Sequence, residues 1–97
     1  MPEYIMLFHY TTKGLQNIKD APSRIKNVKK LFEDNGAKVK TLYAVLGQYD
    51  TVCIADAPDD ETIAKISLQI SAQGNVQGET LRAFSEEQMV KLISQIP

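Results

Sequence analysis

Apolar residues crowd the first ten positions on both parities: Tyr4, Met6, Phe8 and Tyr10 on one, Ile5 and Leu7 on the other. Such a run predicts a strand from Glu3 to Tyr10. The spacing then lengthens. Thr11 or Thr12 is placed to cap a short turn through Leu15 and Ile18. Ile25, Val28, Leu31 and Phe32 recur at helical spacing behind Pro22, which suits a first helical turn because its missing N–H is not needed there. Asn35-Gly36 closes that helix, with Gly36 fit for a left-handed position.

The stretch from Val39 to Asp56 organises the rest. Its β-branched and aromatic flanks predict two strands joined by a turn at Gly47-Gln48-Tyr49-Asp50. The first flank offers Val39, Tyr43 and Val45 against Leu42, Ala44 and Leu46; the second offers Val52 and Ile54 against Cys53 and Ala55. Pro58-Asp59-Asp60-Glu61 opens another helix, with Asp59 as its cap and Ile63, Ile66, Ser67 and Ile70 as its buried stripe. Gly74 ends it, and Asn75 to Phe84 reads as the fourth strand. Ser85-Glu86-Glu87-Gln88 is a capping box, with Phe84 and Met89 at the spacing of a hydrophobic staple. A last helix is expected from about Glu86, with Met89, Leu92, Ile93 and Ile96 facing inward.

This order is a split βαβ unit, βαββαβ, with an added C-terminal helix. The expected fold class is α+β, ferredoxin-like: a four-stranded antiparallel sheet in the order 4-1-3-2, with two crossover helices on one face. A sheet buried on one side alternates apolar with polar residues. These strands carry apolar residues on both sides, so the second face needs a cover. The C-terminal helix is one; a second copy packed by two-fold symmetry is the favoured one.

Ninety-seven residues make one domain, 1–97, small enough to gain stability from a partner. No apolar run nears the roughly 20 residues of a membrane span, and the N-terminus lacks the layout of a secretory signal. Cys53 stands alone, so no internal disulfide forms. These features set the expectation of a cytoplasmic protein. Net charge is −1 but uneven: residues 1–40 hold eight of the eleven Lys and Arg against four acids, and residues 41–97 hold three against eight. That asymmetry favours an anion or another copy of the chain.

Three groups of residues together carry a family resemblance: Leu46-Gly-Gln-Tyr-Asp50, Ala57-Pro-Asp-Asp-Glu61, and Gly74-Asn-Val-Gln-Gly-Glu-Thr-Leu-Arg-Ala-Phe-Ser85. Tyr4-Ile5 through Thr11, and Gly14 with Asn17-Ile-Lys-Asp20, add to it. The chain resembles the GYD domain family over roughly residues 3–90. The resemblance implies a ferredoxin-like fold of the dimeric α/β-barrel kind. Fold kin include cofactor-independent monooxygenases, small isomerases and ligand-sensing regulatory domains, an analogy that sets only a prior.

The candidate ligand-binding residues are His9, Tyr10, Tyr43, Tyr49, Asp50 and Arg82. Tyr49 and Asp50 form the hairpin corner; the structural alternative is a packed ring and a carboxylate that closes the turn. Asp50 and Arg82 are expected at one end of the sheet, close enough to pair. His9, the one group titrating near neutrality, is expected at the opposite end, which argues against a His–Asp dyad. Tyr10 and Tyr43 line a cavity or serve as ordinary core. Cys53 reads as a small buried hydrophobe. No hydrolase order, phosphate loop or Cys/His metal spacing is present, so neither metal nor cofactor is expected. Strand three lacks the stacking aromatics of RNA-recognition modules, and Arg24, Lys26, Lys29 and Lys30 read as a solvated helix face. Neither nucleic acid nor membrane is an expected partner.

The expected function is a small homodimer, or a dimer-based larger assembly, that binds a small molecule in a regulatory or accessory role. The alternative is a cofactor-independent monooxygenase or isomerase using His9, Tyr43 or Tyr49 as acid or base. It predicts at least two of these side chains converging in a cavity.

Overall fold

Alternation in the first strand decides the architecture. The computed structural model describes residues 1–97. In β1 (Glu3–Tyr10), Tyr4, Met6 and Phe8 are buried while Ile5 and Leu7 are only half-buried and His9 is exposed. One side of the strand therefore meets a core and the other does not. Three further strands complete the sheet: β2 (Lys38–Ala44), β3 (Thr51–Asp56) and β4 (Val76–Ala83), in the order β2-β3-β1-β4 with every neighbour antiparallel. This is the ferredoxin-like α+β fold expected from the sequence, in the expected strand order.

Helices α2 (Ala21–Asp34) and α3 (Asp60–Ala72) lie against one face. Their stripes meet the sheet through Phe32, Ile63, Ile66 and Ile70, all buried with Tyr4, Met6, Phe8, Cys53, Ala55 and Ala57. The helix ends form as the sequence dictates. Thr11 caps the short α1 (Thr12–Gln16), Pro22 sits in the first turn of α2, and Gly36 takes a φ of 71°. Asp59 accepts from the Thr62 N–H, and Ser85 and Gln88 close the capping box of α4 (Glu86–Ser94). Gly14 has a different reason to be glycine: a Cβ there would stand 2.0 Å from the Asn75 carbonyl oxygen. That contact lets the turn after β1 press against the entry to β4, where the Thr11 N–H donates to Asn75 O at 3.0 Å.

Four expectations are corrected. First, β1 runs antiparallel to β3, with Tyr4 opposite Ala55 and Phe8 opposite Thr51. Each crossover helix joins parallel strands, so the strand inserted between a parallel pair opposes both. His9 and Asp50 therefore share one end of the sheet. Second, β3 and β4 are parallel for the same reason, so Asp50 and Arg82 lie at opposite ends and do not pair. Third, β2 carries a register shift between Val39 and Thr41. A bulge inserts one residue and resets which side follows. Val39 and Tyr43, expected on one face, thus fall on opposite faces. The strand also ends at Ala44, leaving Leu46 fully exposed in the hairpin loop. Fourth, α4 does not bury an inner face: Met89, Leu92, Ile93 and Ile96 stay between 48% and 69% exposed.

The face opposite the helices consequently lies open. Its rows run Thr41–Ile54–Ile5–Leu81 and Tyr43–Val52–Leu7–Glu79, with His9 beside Gln77. The molecule is 18 Å through its thinnest axis, the depth of two layers, and 53 Å along its longest. No helix is long and apolar enough to cross a membrane.

Candidate functional site

A cavity of about 90 Å³ sits between the sheet and the crossover helices, near the end where β1 finishes. Its apolar wall comes from Phe8 on β1, Val39 and Leu42 on β2, Cys53 on β3, Ile25, Val28 and Phe32 on α2, Ile70 on α3 and Val76 on β4. The bulge in β2 brings Val39 and Leu42 to this side together. The remainder carries polar groups: the largely apolar Tyr10 with its hydroxyl, and Arg24, Lys29, Thr51, Gln73 and Asn75. No carboxylate is among the fifteen lining residues, so both charges at the cavity are positive.

Arg24 is the unusual member. Its Nη1 donates to the Asn17 carbonyl at 2.7 Å, which fixes the guanidinium. Its Nη2 is buried and has no partner. A buried charged donor left without an acceptor costs about 1–3 kcal/mol or more. Cys53 lines the opposite wall. Burial pushes its thiol up to about 11, and the Lys29 ammonium draws it slightly back. The thiol is therefore protonated at neutral pH and acts as apolar lining.

The six sequence candidates do not assemble into one site. Only Tyr10 lines the cavity. Asp50 serves the backbone at the same end: its Oδ2 accepts from the Tyr10 N–H at 2.8 Å, and its own N–H donates to Phe8 O at 2.8 Å. The carboxylate thus ties the hairpin corner to the end of β1 instead of closing the turn's own backbone, which the Val45 N–H closes onto Asp50 O. His9, Tyr43 and Tyr49 belong to the open face. His9 is exposed, Tyr43 is 57% exposed, and the Tyr49 hydroxyl donates to Glu79 across the sheet. That hydrogen bond first, and partial desolvation second, raise the Tyr49 hydroxyl above its ordinary value. The convergence in the intrachain cavity that the enzyme alternative predicts is not formed by these three.

Arg82 sits at the far end, its guanidinium 4.6 Å from the Phe84 ring centroid and 5.6 Å from that of Tyr4. Tyr4 is almost wholly buried beneath it and donates to Asp60 at 2.5 Å. Burial and then the Asp60 carboxylate push the Tyr4 hydroxyl up to about 12.

The solvated helix face expected for Arg24 and Lys29 holds for Lys29, which is exposed, but not for half-buried Arg24, and sequence reasoning missed that both reach the cavity. A signal existed. Arg24 precedes Val28 by four residues and Lys29 follows Ile25 by four, so each flanks the apolar stripe rather than opposing it.

A protein of Thermus thermophilus named glutamine synthetase and cystathionine beta-lyase binding protein is 39% identical over 85 residues, spanning 87% of this chain and 90% of the relative. Among solved structures, the leucine response regulatory protein of Mycobacterium tuberculosis superposes with a TM-score of 0.64 at 14% identity, over 87% of this chain and 51% of that one. The feast or famine regulatory protein of M. tuberculosis, complexed with L-methionine, gives 0.64 at 15% identity, over 91% of this chain and 56% of that one. The chain thus spans about half the length of those two regulators. A third structure, also from T. thermophilus, gives 0.57 at 23% identity over 88% of this chain and 95% of that one. The family model for the GYD domain matches residues 4–93, and the chain belongs to that family.

Proposed function

We propose that this chain is a single-domain cytoplasmic homodimer that binds a small molecule and regulates or assists a metabolic enzyme. The carrying observation is the open sheet face. Ile5, Leu7, Val52, Ile54 and Leu81 make its centre, and no element of the same chain covers them. Around them stand charges of both signs: Lys40 paired with Glu3 at 2.6 Å, Asp56, and Glu79 held by Tyr49. A patch that is apolar inside and mixed in charge outside matches a copy of itself under two-fold symmetry. The half-exposed stripe of α4 adds apolar surface that a second copy would cover.

The enzyme partner rests on the T. thermophilus relative, whose name states that it binds glutamine synthetase and cystathionine beta-lyase. At 39% identity across nearly its whole length, that relative supports an enzyme-binding role for this chain. The cavity supports the small-molecule half of the reading.

Sedimentation velocity tests the assembly. The wild type is expected at twice the protomer mass at micromolar concentration, and Ile54→Lys at one protomer mass with an unchanged circular-dichroism spectrum. A wild type that stays a single protomer at high concentration removes the proposal's main support. Binding of purified glutamine synthetase from the host, measured by surface plasmon resonance, tests the partner.

A further inference from the structure

We propose that the cavity between the sheet and helices α2 and α3 is a binding site for a short monocarboxylate, held by Arg24 and Lys29 at its carboxylate end and by apolar side chains at its tail. This deepens the small-molecule half of the proposed function and rests on it. It does not depend on the dimer, because every lining residue comes from one chain.

Three observations converge. The first is the orphaned donor. Arg24 Nη2 is buried without an acceptor while Nη1 is committed to the Asn17 carbonyl. A guanidinium anchored at one nitrogen and unsatisfied at the other has capacity for one further acceptor, and a turn of the side chain would bring that nitrogen, now sealed from solvent, to an anion in the cavity. The second is charge. The cavity wall holds Arg24 and Lys29 and no acid. Two positive groups against an apolar background set a local potential that favours one negative charge.

The third is size and lining. At 90 Å³ the space matches about three waters, or a molecule of roughly four to six heavy atoms. Ten of its fifteen lining residues are hydrophobic. Phe8, Val28 and Phe32 are among the apolar lining. Burying the second charge of a phosphate dianion in this largely apolar space is costly. A carboxylate with a two- or three-carbon tail places one charge on the two cations and the tail against those rings and methyls. Tyr10, Thr51, Gln73 and Asn75 remain at the wall to receive a further oxygen, such as a 2-oxo or 2-hydroxy group.

The test is a titration followed by two-dimensional ¹⁵N–¹H NMR with three probes of like shape: sodium propionate, propionamide and propylammonium chloride. Propionate is expected to shift the amides of Phe8, Cys53 and Val76 and the Arg24 Nε–H saturably, and the other two probes are not. Arg24→Gln should weaken propionate at least tenfold. Lys29→Gln, on an exposed residue, should weaken it by roughly threefold or more and serves as the second variant if the first does not fold. Propionate that fails to saturate by roughly 50 mM, or that binds unchanged in a folded Arg24→Gln or in Lys29→Gln, overturns the assignment. Propionamide binding as well as propionate also overturns the carboxylate, while leaving a small-molecule role standing. Sedimentation of the same samples reads the dimer independently, so loss of the ligand and loss of the assembly are distinguishable.

Discussion

Two faces of one sheet, built from alternate residues of the same strands, have opposite fates. On β1, Met6 is completely buried and Leu7, its immediate neighbour, is not. The side chains are of similar size and apolarity. What differs is what stands above them: α2 and α3 over Met6, nothing of the same chain over Leu7. Hydrophobic residues thus hold the protomer together on one face and stand uncovered by their own chain on the other. The lesson is that apolar character on both parities of a strand reports a demand for cover without saying which molecule supplies it.

The largest expected effect breaks this comparison directly. Met6→Ala should cost about 2–5 kcal/mol in urea unfolding, because it opens a cavity in a packed core. That cost should not vary with protein concentration. Leu7→Ala should cost roughly 1–2 kcal/mol, growing as protein concentration rises, because in the proposed dimer its contribution is expressed through the second copy. A concentration-independent Leu7→Ala would place Leu7 in the protomer core and erase the distinction.

A pH effect on the covered face comes next. The hydroxyl of Tyr4, raised to about 12, keeps its proton in the folded state when the unfolded chain releases it near 10. Above pH 10 the folded state binds more protons, so stability falls as pH rises from about 10 towards 12. Cys53, raised to about 11, adds a loss beginning near 9. Thermal melts of Tyr4→Phe and Cys53→Ala should each flatten their part of this alkaline decline. Equal slopes in wild type and variants would refute the assignment.

Smaller effects belong to the helix ends and the rim. Asp59→Ala removes the α3 cap and should lower the urea midpoint at pH 7 by less than Leu7→Ala does. Hydrogen bonds from the Thr62 hydroxyl and then its N–H hold the Asp59 carboxyl below its usual range, so this contribution fades as acid protonates it. Lys40→Gln breaks the exposed pair with Glu3 and should leave the protomer's urea midpoint almost unchanged. Its larger signature, if the open face pairs, is a change in dimer dissociation with salt.

The sequence alone determined the elements, their caps and the strand order. It could do so because those depend on local signals: Pro22 in a first turn, Asp59 and Ser85 as caps, Gly36 at a left-handed end, and periods of two or 3.6. It also determined that both sheet faces are apolar. Tertiary structure decided which residues meet. Strand direction sent Arg82 away from Asp50 and brought His9 towards it, because position along a strand becomes position in space only once its direction is fixed. The bulge in β2 split Val39 from Tyr43, because one inserted residue reverses every later side chain. The packing of α2 over the sheet turned Arg24 from an expected surface charge into a half-buried part of a cavity wall. Burial is a property of the assembled layers, and no single segment carries it.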